Sequence, residues 1–138
     1  MASVPWNAIR SSIKEVKIED GVTSIGNFAF ANCHNLKEAL ILPGSVATIG
    51  ALAFQNCVGL EEVAFSEGLT SIELMAFMAC GLKEITIPVS VAFIGEKAFW
   101  FCPNLILITA FRTTPAECDN TAFGGINKAT CTSYPQRQ

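Results

Sequence analysis

The sequence predicts an α/β repeat solenoid. It is expected to be right-handed, with a parallel β-sheet along one face and short second strands and short helical turns on the other, in about five repeats. Three observations predict this. Segments starting at Ile13, Leu36, Leu60 and Leu82 share one template, and a degenerate fifth starts at Leu105, so the period is 22 to 24 residues. Each regular segment opens on a strand-like alternation and reaches an Ala-Phe pair followed three residues on by Cys. One such unit cannot bury its own apolar side, whereas stacked units bury a continuous core.

The elements follow in chain order. Residues 1–12 read as an entry segment and partial N-terminal cap, with Pro5 and Trp6 folding over the open core. Residues 13–35, 36–59, 60–81 and 82–104 are the four regular units, and 105–138 form the degenerate last repeat and C-terminal tail. "IKEVKI" and "LKEITI" alternate as half-buried strands do. A turn follows at Pro43-Gly44, Gly68 or Pro88, then a second short strand such as "VTSI". Gly26, Gly50 and Gly95 suggest a turn with positive φ, although Glu73 holds that place in the third unit. "NFAFANC" then puts Phe30 and Cys33 on one helical face. Ala29, Ala53, Ala76 and Ala98 are small enough for backbone to lie against backbone. The second unit has one extra residue in or just after its strand, as a bulge would.

The repeated cysteines, Cys33, Cys57, Cys80 and Cys102, raise three readings. A zinc site pairs ligands close in sequence, and these are 22 to 24 residues apart with His34 as the sole histidine. A disulfide needs close, converging Cβ atoms, and turns bearing helices lie too far apart for it. The remaining reading is a buried, reduced ladder of small hydrophobes beside the phenylalanines. Cys118 and Cys131 lie in the irregular tail, where a bond and two free thiols are both open. A core-facing Cys33 cannot serve His34 as a nucleophile, and no Ser-His-Asp order, H-E-x-x-H or phosphate loop is present. The expectation is no enzyme, no metal and no cofactor.

Two surfaces are candidates for binding. On the strand side, Glu15, Glu38, Glu62 and Glu84 form one outward column, flanked by Lys14, Lys37, Glu61 and Lys83. Lys17, Ala64, Thr86 and Thr109 form the next. This is either a solvated face or an acidic-edged ligand face. On the other side, Phe28, Leu52, Met75, Met78, Trp100 and Phe101 form an apolar stripe. Either these residues pack between turns, with Trp100 and Phe101 covered by the tail, or they meet a partner. The strand 13–18 is an unpaired sheet edge, blunted by charge, that is expected to favour self-association.

Composition excludes other classes. In 138 residues, nine Lys and Arg against twelve Asp and Glu give a net charge of −3 with no basic run, which argues against a nucleic-acid partner. No apolar run reaches the ~20 residues of a membrane span. The start lacks the apolar core of a signal peptide, so the chain is expected either to remain cytoplasmic or to be a fragment of an exported protein.

"VTSIGNFAFANC", "LPGSVATIGALAFQNC" and "IPVSVAFIGEKAFWFC" resemble the BspA-type leucine-rich repeat over roughly residues 13–105. "ITAFRTTPAECDNTAFGG" resembles the degenerate repeat that closes such arrays. The resemblance implies a leucine-rich-repeat solenoid and a non-enzymatic protein-binding scaffold. It also implies a secreted or cell-surface adhesion protein, with an unidentified protein as partner. A structural spacer without a ligand is the alternative, and a hydrolase a distant one.

Overall fold

A computed structural model describes residues 4–110, 117–118, 121–125 and 130–133, with backbone alone at 117–118 and 130–133. The repeats stack as coils, and each after the first turns the alternation of its sequence into two short strands. The second alternations build a continuous five-stranded sheet. Its strands are β1 (Ser24–Ile25), β3 (Thr48–Ile49), β5 (Ser71–Ile72), β7 (Phe93–Ile94) and β9 (Glu117–Cys118), in that order. All pairs are parallel, and the register repeats the template, with Ile25, Ile49, Ile72 and Ile94 aligned. The first alternations build two smaller parallel sheets on the other face. One joins β2 (Leu40–Ile41) to β4 (Val63–Ala64). The other orders β10 (Thr130–Ser133), β8 (Leu107–Ala110) and β6 (Glu84–Ile87).

The expected first strand, 13–18, is not a strand. The N–H groups of Lys37 and Glu38 both donate to the Lys14 carbonyl, at 3.2 and 3.5 Å, which is the doubled pairing of a bulge. Leu40, not Ala39, aligns with Val63. The extra residue of the second unit is therefore absorbed ahead of its strand. The turns after the first strands close as expected, with Val46, Leu69 and Val91 N–H donating to the carbonyls of Pro43, Ser66 and Pro88 at 3.1 to 3.2 Å.

The expected helical turns are absent too. Among the described residues the one helix is a 3-10 helix, Asn7–Ser12. The segment from Gly26 to Cys33 is instead a run of turns whose N–H groups alternate in direction. Ala29, Ala31 and Cys33 donate within the coil, to Gly26, Phe28 and Phe30. Phe28, Phe30 and Asn32 donate across to Ala51, Ala53 and Gln55 of the next coil, at 2.7 to 2.9 Å. A helix spends all its bonds along its own axis. Here half go to a neighbour, and the left-handed residues Phe28 (φ 61°) and Asn32 (φ 63°) turn the chain so that they can. Small alanines make this approach possible: Ala53, Ala76 and Ala98 are fully buried.

Glycine acts by space rather than by φ. Gly26, Gly50 and Gly95 lie outside the left-handed region, contrary to expectation. A Cβ on Gly50 would lie 2.8 Å from the Ile25 carbonyl oxygen, and one on Gly95 2.8 Å from the Leu74 nitrogen. Each glycine sits where the preceding coil's backbone passes.

Between the sheets lies one apolar core containing no buried charged or polar residue among the described residues. Its axis is a column of parallel rings. Trp6 stacks on Phe30, then Phe54, Phe77, Phe99 and Phe123 follow, with centroids 5.1 to 5.4 Å apart and interplanar angles no larger than 18°. Phe65 packs its edge against Phe77 and Phe99. The degenerate fifth repeat keeps its place in this column through Ala122 and Phe123, even though most of its template has decayed.

Candidate binding surfaces

The strand face follows from the period of two. Leu40, Val63, Ile85 and Ile108 point inward and are buried, so their neighbours point out. Glu15, Glu38, Glu62 and Glu84 are all exposed, as are Lys17, Ala64 and Thr86, while Thr109 is half-buried. They do not form the single column expected: with Leu40 paired to Val63, the second unit is shifted by one and Ala39 rather than Glu38 stands in line with Glu62. Lys83 Nζ lies 3.2 Å from Glu61 Oε1 on the preceding coil, with both side chains more than half exposed. Such a pair adds little stability but relieves the stacking of like charge. Ile41 belongs to this face and was not expected there. It aligns with Ala64 and is 67% exposed. Placing the extra residue ahead of the strand would have revealed it in the sequence.

On the opposite side, Phe28, Leu52, Met75, Met78 and Trp100 are half-buried. Gly124 covers part of the Trp100 ring, since a Cβ there would collide with it, and Lys97 Nζ sits 5.4 Å from that ring's centroid. Phe101 is not covered as expected. It is 59% exposed and held at φ 60°. Its counterparts in coils 1 and 2 are Asn32 and Asn56, whose side chains bond at 3.0 Å. Asparagine suits the left-handed region, whereas a bulky side chain there is an outlier.

The N-terminal end is built by side chains outside the repeat template. Trp6 Nε1 donates to the Ala29 carbonyl at 2.8 Å. The Arg10 guanidinium fans across three carbonyls, those of Ala29, Ala31 and Phe28, at 3.3, 2.7 and 3.1 Å. In the next coil, Ala53 and Gln55 carbonyls accept from backbone N–H groups. Trp6 and Arg10 thus supply a ring and donors where a preceding coil would supply them. Trp6 was expected over the open core; Arg10 was missed, because its role depends on no repeated position. Beside them, among the described residues, lies a cavity of about 530 Å³ lined by Ile9, Ile13, Val16, Ile18 and Ile25.

The cysteine ladder is buried. Cys33, Cys57, Cys80 and Cys102 are free thiols no more than 1% exposed. Cys57, Cys80 and Cys102 each donate to the carbonyl of a phenylalanine in the coil before, at 3.0 to 3.2 Å. Distance between coils is not what keeps them apart, as the turn segments are hydrogen-bonded to each other. Equivalent residues of stacked coils carry parallel Cβ vectors, and a disulfide needs converging ones. Burial pushes the Cys33 and Cys102 thiols up to about 11 and raises Cys80 well above its usual range. A buried thiol that resists ionisation is a poor nucleophile. The side chains of Cys118 and Cys131 lie outside the described residues. Among the described residues no cluster of three His, Cys, Asp or Glu side chains is placed to hold a metal. Among the described residues no helix is long and apolar enough to cross a membrane.

Coil-to-coil backbone ladders, a single ring column and a strand face of alternating burial define a leucine-rich-repeat solenoid. The chain belongs to the BspA-type leucine-rich repeat family, whose model matches residues 8–106 in six copies. A leucine-rich cell surface protein from Faecalibacterium prausnitzii superposes with a TM-score of 0.60 at 28% identity, covering 72% of this chain. The pneumococcal vaccine antigen PcpA shares the fold at 19% identity and a TM-score of 0.59 over 88% of the chain. A leucine-rich repeat protein from Eubacterium ventriosum does so at 24% and 0.51 over 86%. The chain spans 33%, 39% and 35% of those three structures. Among curated proteins none matches the chain.

Proposed function

We propose that the chain is a non-enzymatic, protein-binding part of a secreted or cell-surface protein, and that its outward strand columns are the ligand face. The observation that carries this reading is the uniform exposure of Glu15, Glu38, Glu62 and Glu84 beside the small or short side chains of Ala64 and Thr86. A sheet face whose exposed carboxylates flank short side chains, with Ile41 among them, admits a protein surface carrying basic side chains. The relative described as a cell surface protein supports the location. The test is binding to a panel of purified extracellular proteins immobilised on a sensor. The chain should bind at least one saturably, and the triple variant Glu38→Ala, Glu62→Ala, Glu84→Ala should lose it. A chain that binds none is a spacer between other domains.

Phe101 favours a second surface. An aromatic side chain held exposed in a left-handed conformation, beside Met78 and Trp100, makes the apolar stripe a contact for a partner. Loss of binding in Phe101→Asn with the glutamate variant unaffected would move the ligand face to that side.

A further inference from the structure

The strand face is interrupted between two coils that both form a strand there. β4 and β6 follow one another along that face, yet they belong to separate sheets. Among the described residues, the main-chain bond between these strand segments of coils 3 and 4 runs from the Lys83 N–H to the Glu61 carbonyl, at 3.1 Å. On the other side the same two coils are joined throughout. β5 pairs with β7, and the N–H groups of Met75, Phe77 and Ala79 donate to the carbonyls of Glu96, Ala98 and Trp100 at 2.7 to 2.9 Å. In the gap lies a cavity of about 420 Å³, lined by Glu61, Glu62, Val63, Lys83, Glu84 and Thr86. The seam between coils 3 and 4 is thus open along one face and closed along the other.

Two departures from the repeat coincide with the gap. Phe65 stands where the neighbouring coils carry Leu42 and Ile87. It turns the edge of its ring to Phe77 of its own coil and to Phe99 of the next, with centroids 5.7 and 6.5 Å away. A ring fills more space than a branched aliphatic chain, so it spreads the coils at the strand while it closes the core beneath. Glu61 stands where the other regular units carry Lys14, Lys37 and Lys83. Coil 3 therefore brings two carboxylates, Glu61 and Glu62, to a gap that also holds Glu84. Like charges on neighbouring strands repel. The side-chain tie across the gap is the pair of Lys83 Nζ and Glu61 Oε1 at 3.2 Å, with both side chains more than half exposed. A pair so exposed holds weakly.

From this one-sided joining we infer that the seam is a hinge, at which coil 4 swings against coil 3 about the continuous five-stranded sheet and the strand face opens between Val63 and Thr86. A region with few main-chain bonds and an exposed ion pair opens at lower cost than the laddered side. The paired strands β5 and β7 supply the element that bends without parting. Lys83 is the latch across the gap, and Phe65 is the wedge that keeps the two strands from pairing. Opening moves Glu62 away from Glu84 and changes the curvature of the strand face without breaking a ladder. The hinge belongs to the chain alone and does not depend on that face having a ligand.

The test is alkylation of an introduced thiol in the folded full chain by iodoacetamide. Val63 points inward beside the gap, and Ile72 points inward from the same coil on the closed side. The template cysteines are buried, and the parent chain gives the background rate. Val63→Cys should react at least about tenfold faster than Ile72→Cys. Adding Lys83→Gln should raise the Val63→Cys rate roughly two- to five-fold, which is what an exposed ion pair is worth. Adding Phe65→Leu should lower it. Equal rates for the two thiols overturn the inference, and so does a Val63→Cys rate that neither second substitution moves, because that rate would report fixed exposure. If Val63→Cys does not fold, amide exchange in the parent chain and in Lys83→Gln decides. The Val63 and Thr86 amides should exchange faster in Lys83→Gln, while Phe77 and Gly95, which bond across the same two coils on the closed side, should not change. Unchanged exchange at Val63 and Thr86, or a uniform rise at all four, overturns the hinge.

Discussion

The Cys80 thiol donates to the main-chain carbonyl of Phe54 in the coil before it, at 3.0 Å. Cys57 and Cys102 do the same to Phe30 and Phe77. The repeated cysteine is thus a small apolar filler that also ties one coil to the last. Thiol reagents should leave Cys33, Cys57, Cys80 and Cys102 unmodified in the native chain and modify all four after denaturation without reductant. Modification only after reduction would mean a disulfide ladder. Cys80→Ala should cost about 1–2 kcal/mol in denaturant unfolding, through lost packing and the lost bond.

Alkaline pH should weaken the fold through the same thiols. Burial raises Cys33 and Cys102 from the ordinary 9.0 to about 11. The folded chain therefore holds these protons more tightly than the unfolded chain does. This contribution is intact below pH 9 and is lost as the pH rises from 9 through 11. Melting temperatures recorded across that range should fall, and fall less in a Cys33→Ala, Cys102→Ala variant.

Arg10 should matter out of proportion to its exposed surroundings. Its three carbonyl contacts hold groups that otherwise face an open end. Arg10→Ala should cost about 2 kcal/mol in chemical denaturation. Arg10→Lys should recover only part, because one ammonium cannot span three acceptors as a planar guanidinium does.

Glycines at one repeat position should respond differently along the array. Gly50→Ala drives a methyl group against the Ile25 carbonyl and should cost about 1–3 kcal/mol. Gly26→Ala meets nothing and should stay within about 0.5 kcal/mol of the parent. Equal losses at both sites would refute the account of glycine as a spacer between coils.

Phe101→Asn should stabilise the chain. It puts a residue tolerant of φ 60° where a bulky one is strained, a gain of about 1 kcal/mol in thermal unfolding. A stabilised variant that has lost partner binding would mark Phe101 as retained for contact rather than for folding.

Much of this was legible in the sequence because repetition amplifies weak signals. One "AFANC" says little; four copies at one period place Phe54, Phe77 and Phe99 and their cysteines inside together. Leu40 and Ile41 were harder, because a single extra residue ahead of a two-residue strand decides which of them faces out, and a slip of one residue reverses every side chain. Arg10 was beyond reach of the pattern, since it acts on carbonyls 18 to 21 residues away.

By itself the sequence determined the repeat, its period, the inward positions outside the second unit's strand and the parallel stacking, because apolar spacing constrains which faces must be buried whatever the local path. Only the tertiary structure decided that path. Spacing of three in "NFAFANC" fits a helix, yet the backbone there forms turns that bond sideways to the next coil. The choice rests on where half the N–H groups find acceptors, and those acceptors belong to a neighbouring coil 21 to 23 residues away. The same dependence governs the first coil, where Trp6 and Arg10 supply the ring and donors that a neighbouring coil supplies elsewhere.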